Sequence, residues 1–195
     1  MELLLIRHGL PERVVNEDGT PADPPLSAKG RDQAERVARW LEGVSIDRLY
    51  SSPLLRARET AQPLATLRGL PVEIEPAVRE YDADSALYIP MEDLKEHDYE
   101  QWKVLVSGGY APEVDFLAFR GEVVTGVEQI IADNPGRRVV VFCHGGVINA
   151  WAAHVLGMKP QLFIDVSYTS VNRFWAASSG ERSLGSLNEA AHLRD

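Results

Sequence analysis

The chain has 195 residues, 45% hydrophobic and 25% charged, the composition of an ordinary globular protein that buries a sizeable core. Twenty Lys and Arg residues against 29 Asp and Glu residues give a formal net charge of -9, which disfavours binding to nucleic acid or anionic membranes through many cationic contacts. The single cysteine, Cys143, excludes an intramolecular disulfide and a cysteine cluster for metal. No signal-peptide pattern and no apolar run of membrane-spanning length is present, so we predict a cytoplasmic protein.

The first part of the chain predicts a buried strand, a loop and a helix. Residues 2–6 form a continuous apolar run, which is typical of a strand covered on both faces of a parallel sheet. Residues 11–25 are rich in Pro, Asp, Asn and Gly and predict a loop. Ser27 is the predicted N-cap of a helix whose apolar residues recur at helical spacing until Gly43 ends the pattern.

A second strand and helix follow. Residues 46–50 predict the strand, and Ser51-Ser52-Pro53 predicts the helix start, with serine as the cap and proline in the first turn. Pro63 lies inside this helix and predicts a kink. Residues 72–74 predict a further strand.

Residues 81–111 have poor periodicity and frequent aromatic residues among acidic ones. We interpret this segment as a cap-like excursion inserted over the sheet, and not as a separate domain. The whole chain, residues 1–195, is therefore predicted to be one domain.

The last part of the chain returns to regular elements. A long helix is predicted to start at Pro112, followed by the strongest strand pattern of the chain at residues 138–142 and a helix at about residues 147–156. Two more strands are predicted around residues 163–167 and 171–176. From about residue 178 the chain is small and polar, which predicts a frayed tail.

Strands that alternate with helices predict an α/β protein, a three-layer α/β/α sandwich with a mostly parallel central sheet. Two of its strands end in a similar way. The first runs into Arg7-His8-Gly9 and the strand at residues 138–142 runs into Cys143, His144 and Gly145. Ligands bind at the carboxyl ends of strands in such sheets, so both histidines are candidate site residues.

Five motifs occur in one order over residues 1–176. They are Arg7-His8-Gly9; Pro25-Leu26-Ser27 with Gly30 and Gln33-Ala34; Ser51-Ser52-Pro53-Leu54 with Arg56-Ala57 and Thr60-Ala61; Glu80; and His144-Gly145-Gly146. This series resembles the histidine phosphatase superfamily, in its phosphoglycerate mutase-like branch, and specifically a phosphatase-type member. The resemblance implies a phosphoglycerate mutase-like fold and hydrolysis of phosphate monoesters without metal or cofactor.

The chemistry explains why these residue types would be assembled. A phosphate monoester carries about two negative charges near neutral pH, and the planar cations of Arg7 and Arg56 suit its oxygens. Adjacent cations lower the pKa of a histidine and so favour the neutral, nucleophilic imidazole. The resemblance makes His8 the residue that becomes phosphohistidine and His144 the residue that stabilises charge on the transferring group.

One carboxyl group can protonate the leaving oxygen and later activate water. Glu80 matches the family position for this acid and base, and Asp82 and Asp84 are neighbouring competitors. Gly9 and Gly145 would let the backbone approach the phosphate closely.

The sequence departs from the family pattern just after His8. Leu10 and Pro11 stand where the family often has polar residues, so a hydroxyl contact to phosphate is missing. Asn16 lies two positions beyond the family's asparagine and is a candidate phosphate contact, with Thr20 as a weaker one. These differences affect substrate identity more than the phosphoryl chemistry.

Other polar residues have no motif around them. Arg58 is predicted either to be solvated or to support the site without taking part in catalysis. His97, His154 and His192 are predicted to be structural, and Cys143 to be a small core side chain. No metal site is indicated. The expected partner is a small phosphorylated metabolite, and the oligomeric state stays open.

Three functions remain as hypotheses. The first is a phosphomonoesterase that works through phosphohistidine. The second is a cofactor-dependent phosphoglycerate mutase, although the 64 positions from Glu80 to His144 (144 minus 80) are few for that group. The third is a catalytically silent phosphate-binding module, whose mark would be loss of a site residue, and none is lost.

Overall fold

In the computed structural model, which describes residues 1–90, 94–96, 98–106 and 115–194, a six-stranded mixed sheet lies between two layers of helices. Its strands are β1 (Glu2–Arg7), β3 (Arg48–Ser51), β4 (Val72–Ile74), β6 (Arg138–Cys143), β7 (Val171–Ala176) and β8 (Arg182–Glu189). They are arranged in the order β4-β3-β6-β1-β7-β8. Two short strands, β2 (Val14–Val15) and β5 (Leu87–Tyr88), pair antiparallel outside this sheet.

The helices of the described residues follow the strands in sequence. They are α1 (Ala28–Trp40), α2 (Leu55–Arg68), α3 (Tyr99–Val106), α4 (Phe116–Asp133) and α5 (Gly145–Val155), with 3-10 turns at Pro76–Val78 and Ala191–Leu193. Among the described residues, no helix has the length and apolar character needed to cross a membrane.

The central strands are covered on both faces, as their continuous apolar sequence predicts. Leu3 and Leu5 of β1 pack with α4 and α5, whereas Leu4 and Ile6 pack with α1 and α2. All four side chains are fully buried. Because successive side chains of a strand point to opposite faces, this division confirms the three-layer α/β/α sandwich.

Three parallel strands end side by side. β1 pairs with β6 with Arg7 opposite Cys143, and β6 pairs with β3 with Phe142 opposite Ser51. The residues that follow these ends, His8, His144 and Ser52, therefore lie at one edge of the sheet.

One helix cap is as predicted and one is not. The Ser27 side chain accepts a hydrogen bond from the Gly30 amide at 3.0 Å and caps α1. The prediction that serine caps the second helix is wrong, because α2 starts after Leu54 without a side-chain cap. Ser52 instead lies next to His144, and α2 continues through Pro63.

The C-terminal part corrects two further predictions. Residues 163–167 are not a strand, because the buried Asn149 side chain bonds their backbone at Phe163 and Ile164. The frayed tail is also wrong, because β8 pairs antiparallel with β7 along the sheet edge. One small residue of β8 has a packing reason, because a Cβ atom at Gly185 would overlap the Trp175 ring.

The cap-like excursion lies partly outside the described residues, which omit 91–93, 97 and 107–111, and its role stays a prediction. Its described part contains β5 and α3. Pro112, the predicted start of the long helix, also lies outside the described residues. The described helix begins at Phe116, where the Asp115 carboxylate accepts a hydrogen bond from the Ala118 amide at 2.9 Å.

Isolated polar residues behave as the sequence predicts where they are described. Cys143 is fully buried in β6, and Arg58 is exposed. The His192 ring lies 3.0 Å from the Thr169 hydroxyl and packs on Trp40, and His154 packs on the Trp151 ring. His97 lies outside the described residues.

The loop after His8 rests directly on the first turn of α1. A Cβ atom at Gly9 would lie 2.5 Å from the Gly30 carbonyl oxygen, and a Cβ atom at Gly30 would overlap the Leu10 carbonyl oxygen. Both contacts are with backbone, which cannot swing away as a flexible side chain can. Because Gly9 and Gly30 have no side chains, the first turn of α1 can pack directly against the loop that follows His8.

Replacement of Gly30 by alanine should lower the free energy of unfolding by about 1–3 kcal/mol, because the added methyl group overlaps backbone. Gly121→Ala is the matched control: this position is in α4, exposed, with nothing within 4 Å of a built Cβ. That control should raise stability by up to about 1 kcal/mol through helix propensity. Urea unfolding of both variants measures the difference, and equal stability of the two would contradict the packing described here.

Candidate active site

The predicted site residues meet at the carboxyl edge of the sheet. Arg7, His8, Arg56 and Glu80 line a cavity of about 210 Å³. His144 lies behind them, fully buried, with its ring centroid 5.1 Å from that of His8. Five residues separated by up to 137 positions (144 minus 7) are thus brought together by the ends of β1 and β6, the start of α2 and the segment after Pro76–Val78.

His8 extends β1 by one residue, since its amide donates to the Cys143 carbonyl at 3.0 Å. Its Nδ1 lies 2.8 Å from the Gly9 carbonyl oxygen, which can only accept, so Nδ1 carries the proton. Nε2 then holds the lone pair. Burial, Arg56 and Arg7, in that order, hold the pKa of His8 well below its usual value, so the imidazole is neutral near pH 7.

The two arginines are fixed by aromatic rings. The Arg7 guanidinium carbon lies 3.8 Å from the Tyr168 ring centroid, and that of Arg56 lies 4.6 Å from the Tyr88 ring centroid. Arg7 also donates to the Val166 carbonyl through Nη1. The site therefore presents two oriented guanidinium groups beside His8.

Arg56 is a buried cation with unused donors. Its side chain is 1% exposed, and its nearest carboxylate, that of the exposed Asp23, lies 3.8 Å from Nη1. Among the described residues, Nε and Nη1 have no hydrogen-bond partner. Burying such a group costs free energy unless an anion satisfies it, so this geometry favours an anionic ligand.

His144 is held by the end of the neighbouring strand. Its Nε2 lies 2.8 Å from the Ser52 hydroxyl, whereas its buried Nδ1 has no hydrogen-bond partner among the described residues. Burial, followed by Arg56, His8 and Arg7, lowers its pKa well below the usual value. Without a ligand His144 is neutral, and a bound dianion would act in the opposite direction and favour the imidazolium.

Glu80 is oriented by two backbone amides. Its Oε2 accepts from the Gly146 amide at 3.0 Å and its Oε1 from the Tyr81 amide at 3.2 Å. Burial and the charge of Asp82 raise its pKa to about 7. A side chain at position 146 would overlap Glu80 Oε1 and the Tyr81 ring, which explains the second glycine of the His-Gly-Gly motif. Glu80 is therefore a carboxyl group poised to give and take a proton near neutral pH.

The two competing aspartates differ in position. Asp84 is exposed and paired with Arg79 at 2.7 Å, away from the cavity. Asp82 lines the cavity, and burial raises its pKa. Of this pair, Asp82 is the one that shares the cavity with Arg7 and Arg56.

Three of the predicted phosphate contacts are engaged elsewhere. The Asn16 amide donates to the backbone carbonyls of Thr20 and Pro21, at 3.0 and 3.1 Å, and closes a turn of the loop. The Thr20 hydroxyl donates to Asp18 at 2.7 Å. The Gly9 amide donates to the Thr60 hydroxyl at 2.9 Å. These bonds argue against phosphate contacts by Asn16, Thr20 and Gly9, whereas Gly145 does line the cavity.

The sequence reasoning missed two supporting residues. Tyr168 packs on both Arg7 and His8, and nothing in its local sequence signals this. Asn149 is buried in the apolar helix α5 and binds the backbone of residues 163 and 164. An asparagine inside an otherwise apolar helix is a signal that could have been used, since buried polar groups need partners.

The cavity lining also has an apolar part. Five apolar side chains form it: Ile89, Leu162, Phe163, Ile164 and Val166. Two acidic residues, Asp82 and Asp165, also line the cavity. The lining therefore combines two anion-binding guanidinium groups with an apolar part that contains Asp165 in the same segment.

Known proteins are similar to this chain in sequence and in fold. The chain is 32% identical over 168 residues to the adenosylcobalamin/alpha-ribazole phosphatase of Escherichia coli, covering 83% of this chain and 82% of that protein. It is 29% identical to a probable phosphoglycerate mutase of Yersinia enterocolitica, covering 82% and 77% of the two chains. A solved phosphoserine phosphatase of Entamoeba histolytica, in complex with 3-phosphoglyceric acid, aligns with a TM-score of 0.76 at 25% identity and covers 99% of both chains.

The family comparison spans the sheet from its first strand to its last. The sequence profile of the histidine phosphatase superfamily (branch 1) matches residues 3–189. This range includes β1 and β6, whose ends carry the two histidines, and runs to the last residue of β8. The chain belongs to the histidine phosphatase superfamily, branch 1.

Proposed function

We propose that this protein is a metal-independent phosphomonoesterase that acts through a phosphohistidine on His8. The observation that carries the proposal is the juxtaposition of two buried guanidinium groups with a neutral imidazole whose Nε2 is unprotonated. Such a pair neutralises a phosphate dianion while leaving a nucleophile beside it. The phosphatases among the similar proteins support this reading.

In the first step Nε2 of His8 attacks phosphorus, and a P–N bond forms as the P–O bond to the alcohol breaks. The leaving oxygen takes the proton of Glu80, whose pKa of about 7 keeps a substantial fraction protonated at neutral pH. Arg7 and Arg56 bind the equatorial oxygens, where charge builds up.

In the second step the Glu80 carboxylate takes a proton from water. The water oxygen attacks phosphorus, the P–N bond breaks, and inorganic phosphate leaves with His8 restored. His144, whose ring lies beside that of His8, is protonated while the phosphate is bound and stabilises the charge of the transferring group. One carboxyl group thereby serves both halves of the cycle.

The mutase hypothesis predicts a different product from the same phosphohistidine. A primer-dependent mixture of phosphoglycerate isomers without net phosphate release would favour it over the phosphatase. The relative named as a probable phosphoglycerate mutase makes this comparison worthwhile. A silent phosphate-binding module would show neither product.

The proposal is tested by phosphate release from an aryl phosphate with a chelator present, between pH 5 and 8. The wild type should release phosphate, and His8→Ala should lose at least about 10³-fold of that activity because the nucleophile is absent. Denatured samples quenched during turnover should contain acid-labile phosphate on His8 by mass spectrometry. Release that survives in His8→Ala would remove the phosphohistidine from the mechanism.

The pH dependence should identify Glu80 as the acid. Because the free enzyme needs protonated Glu80, kcat/KM should fall as pH rises through about 7, while the depressed pKa of His8 keeps the nucleophile neutral well below pH 6.5. Glu80→Gln should lower turnover by about 10²-fold or more and abolish this alkaline limb. The exposed Glu73→Gln is the control and should keep the wild-type profile. An unchanged alkaline limb in Glu80→Gln would assign it to another group.

Two neighbouring arginines on α2 offer a matched comparison. Arg56→Ala should lower kcat/KM by about 10²–10³-fold, because a charge-stabilising donor to the phosphate is lost. Arg58→Ala, two residues along the same helix and exposed, should stay within about twofold of the wild type, as surface substitutions usually do. Steady-state kinetics on one substrate measures both, and similar losses would show that α2 is disturbed as a whole.

A further inference from the structure

We infer that the alcohol part of the substrate has an apolar body and carries no carboxylate. The inference rests on the phosphomonoesterase proposed above and concerns the other end of the same cavity. It follows from which side chains form that end, how firmly they are held and which charges stand there.

Residues 162–166 and Ile89 form a part of the cavity lining that we call the alcohol end, and this part is largely hydrocarbon. Leu162, Phe163, Ile164 and Val166 belong to one segment of the chain and Ile89 to another. Leu162, Phe163, Ile164 and Ile89 are half-buried, so their exposed surface is free to be covered by a ligand. Removing such surface from water is the main source of affinity for an apolar group.

This apolar wall, residues 162–166, is held in place before a ligand arrives. Asn149 Oδ1 accepts from the amides of Phe163 and Ile164 at 2.9 and 3.0 Å. At the other end, the Asn188 side chain donates to the Asp165 carbonyl at 3.0 Å and accepts from the Ser167 amide at 2.8 Å. Because these residues are already ordered, little binding free energy is lost in ordering them when a ligand binds, and the fixed surface favours ligands of matching shape.

The charge at this end is acidic. Asp165 belongs to the apolar wall and lines the cavity, whereas Asp82 lies near Arg7 and Arg56, the cations among the lining residues in the described part of the chain. Both arginines lie beside His8, where the phosphate is proposed to bind. A second anionic group on the substrate would therefore meet the Asp165 carboxylate without a further cation from these lining residues to balance it.

No lysine or arginine occurs in the sequence at positions 91–93, 97 or 107–114, the internal positions outside the described residues. The two lysines of the excursion have other contacts. Lys95 Nζ lies 4.8 Å from the Trp102 ring centroid, and Lys103 pairs with Glu100 at 2.7 Å. The excursion thus offers no unengaged cation in its described part for a substrate carboxylate.

The test compares two benzyl phosphates that differ at one group, 4-carbamoylbenzyl phosphate and 4-carboxybenzyl phosphate. The two rings have the same size, and the benzylic carbon insulates the leaving oxygen from the substituent. The carbamoyl ester should have a kcat/KM at least about tenfold higher, because the carboxylate faces like charge without compensation. Equal values, or a preference for the carboxylate, would overturn the inference.

Two variants assign the preference to the named residues. Asp165→Asn should raise kcat/KM for the carboxy ester relative to the carbamoyl ester and so narrow the difference between the two. Leu162→Ala should lower kcat/KM for benzyl phosphate by about fivefold relative to ethyl phosphate, which has no body to cover the wall. Leu117→Ala, exposed on α4 and away from the cavity, should change neither ratio. An unchanged ratio of carbamoyl to carboxy ester in Asp165→Asn, or an unchanged ratio of benzyl to ethyl phosphate in Leu162→Ala, would contradict the assignment to that residue.

Binding separates this inference from the catalytic proposal. Titration calorimetry with His8→Ala should show the same order of affinity for the two esters without turnover. If no ester is hydrolysed but this variant still prefers the carbamoyl ester, the phosphomonoesterase proposal fails and the recognition stands. If hydrolysis depends on His8 and the two esters bind alike, the recognition fails and the catalytic proposal stands.

Discussion

The parallel pairing of β1 with β6 is the interaction on which the site depends. It places Arg7 opposite Cys143, so the residues that follow, His8 and His144, leave the sheet together. A shift of one residue would turn every side chain of β1 to the opposite face. The hydrophobic layers prevent this, because Leu3 and Leu5 fit the α4 and α5 side while Leu4 and Ile6 fit the α1 and α2 side. The same burial that stabilises the fold fixes the distance between the two imidazoles.

Burial also sets the protonation of the site. It lowers the pKa of both histidines and raises that of Glu80, and the arginines reinforce the effect on the histidines. The site around His8 therefore combines two permanent cations, two neutral imidazole rings and the Glu80 carboxyl group that titrates near pH 7, with the Asp82 carboxyl group beside it. Such a site favours a phosphate dianion as its ligand, because the dianion would pair with the guanidinium groups and favour the His144 imidazolium.

Sequence reasoning reached the layers and the charged end of the site because both depend on short, local patterns. Apolar runs such as residues 138–142 are unambiguous, and Arg7, His8 and His144 follow strands directly. It failed where a long-range contact decides the local structure. The Asn149 side chain binds the backbone of residues 163 and 164 and keeps residues 163–167 out of the sheet. Ser52 lies beside His144 instead of capping α2. β8 joins the sheet by pairing with β7, a contact that its own sequence does not signal. Asn16 had the right residue type, but its amide closes its own loop.

The hydrogen bonds of Asn188 connect the apolar wall to the last strand of the sheet. The reacting groups all precede residue 145, whereas the wall that faces the alcohol is fastened to β8, at an asparagine with the left-handed φ of 57° that this residue type tolerates. A change at Asn188 would therefore reach the alcohol end through the backbone of Asp165 and Ser167. The same segment also supports the phosphate end, because the Val166 carbonyl accepts from Arg7 and the Tyr168 ring packs on Arg7 and His8. One stretch of backbone thus couples the shape of the alcohol end to the position of the cation beside the nucleophile.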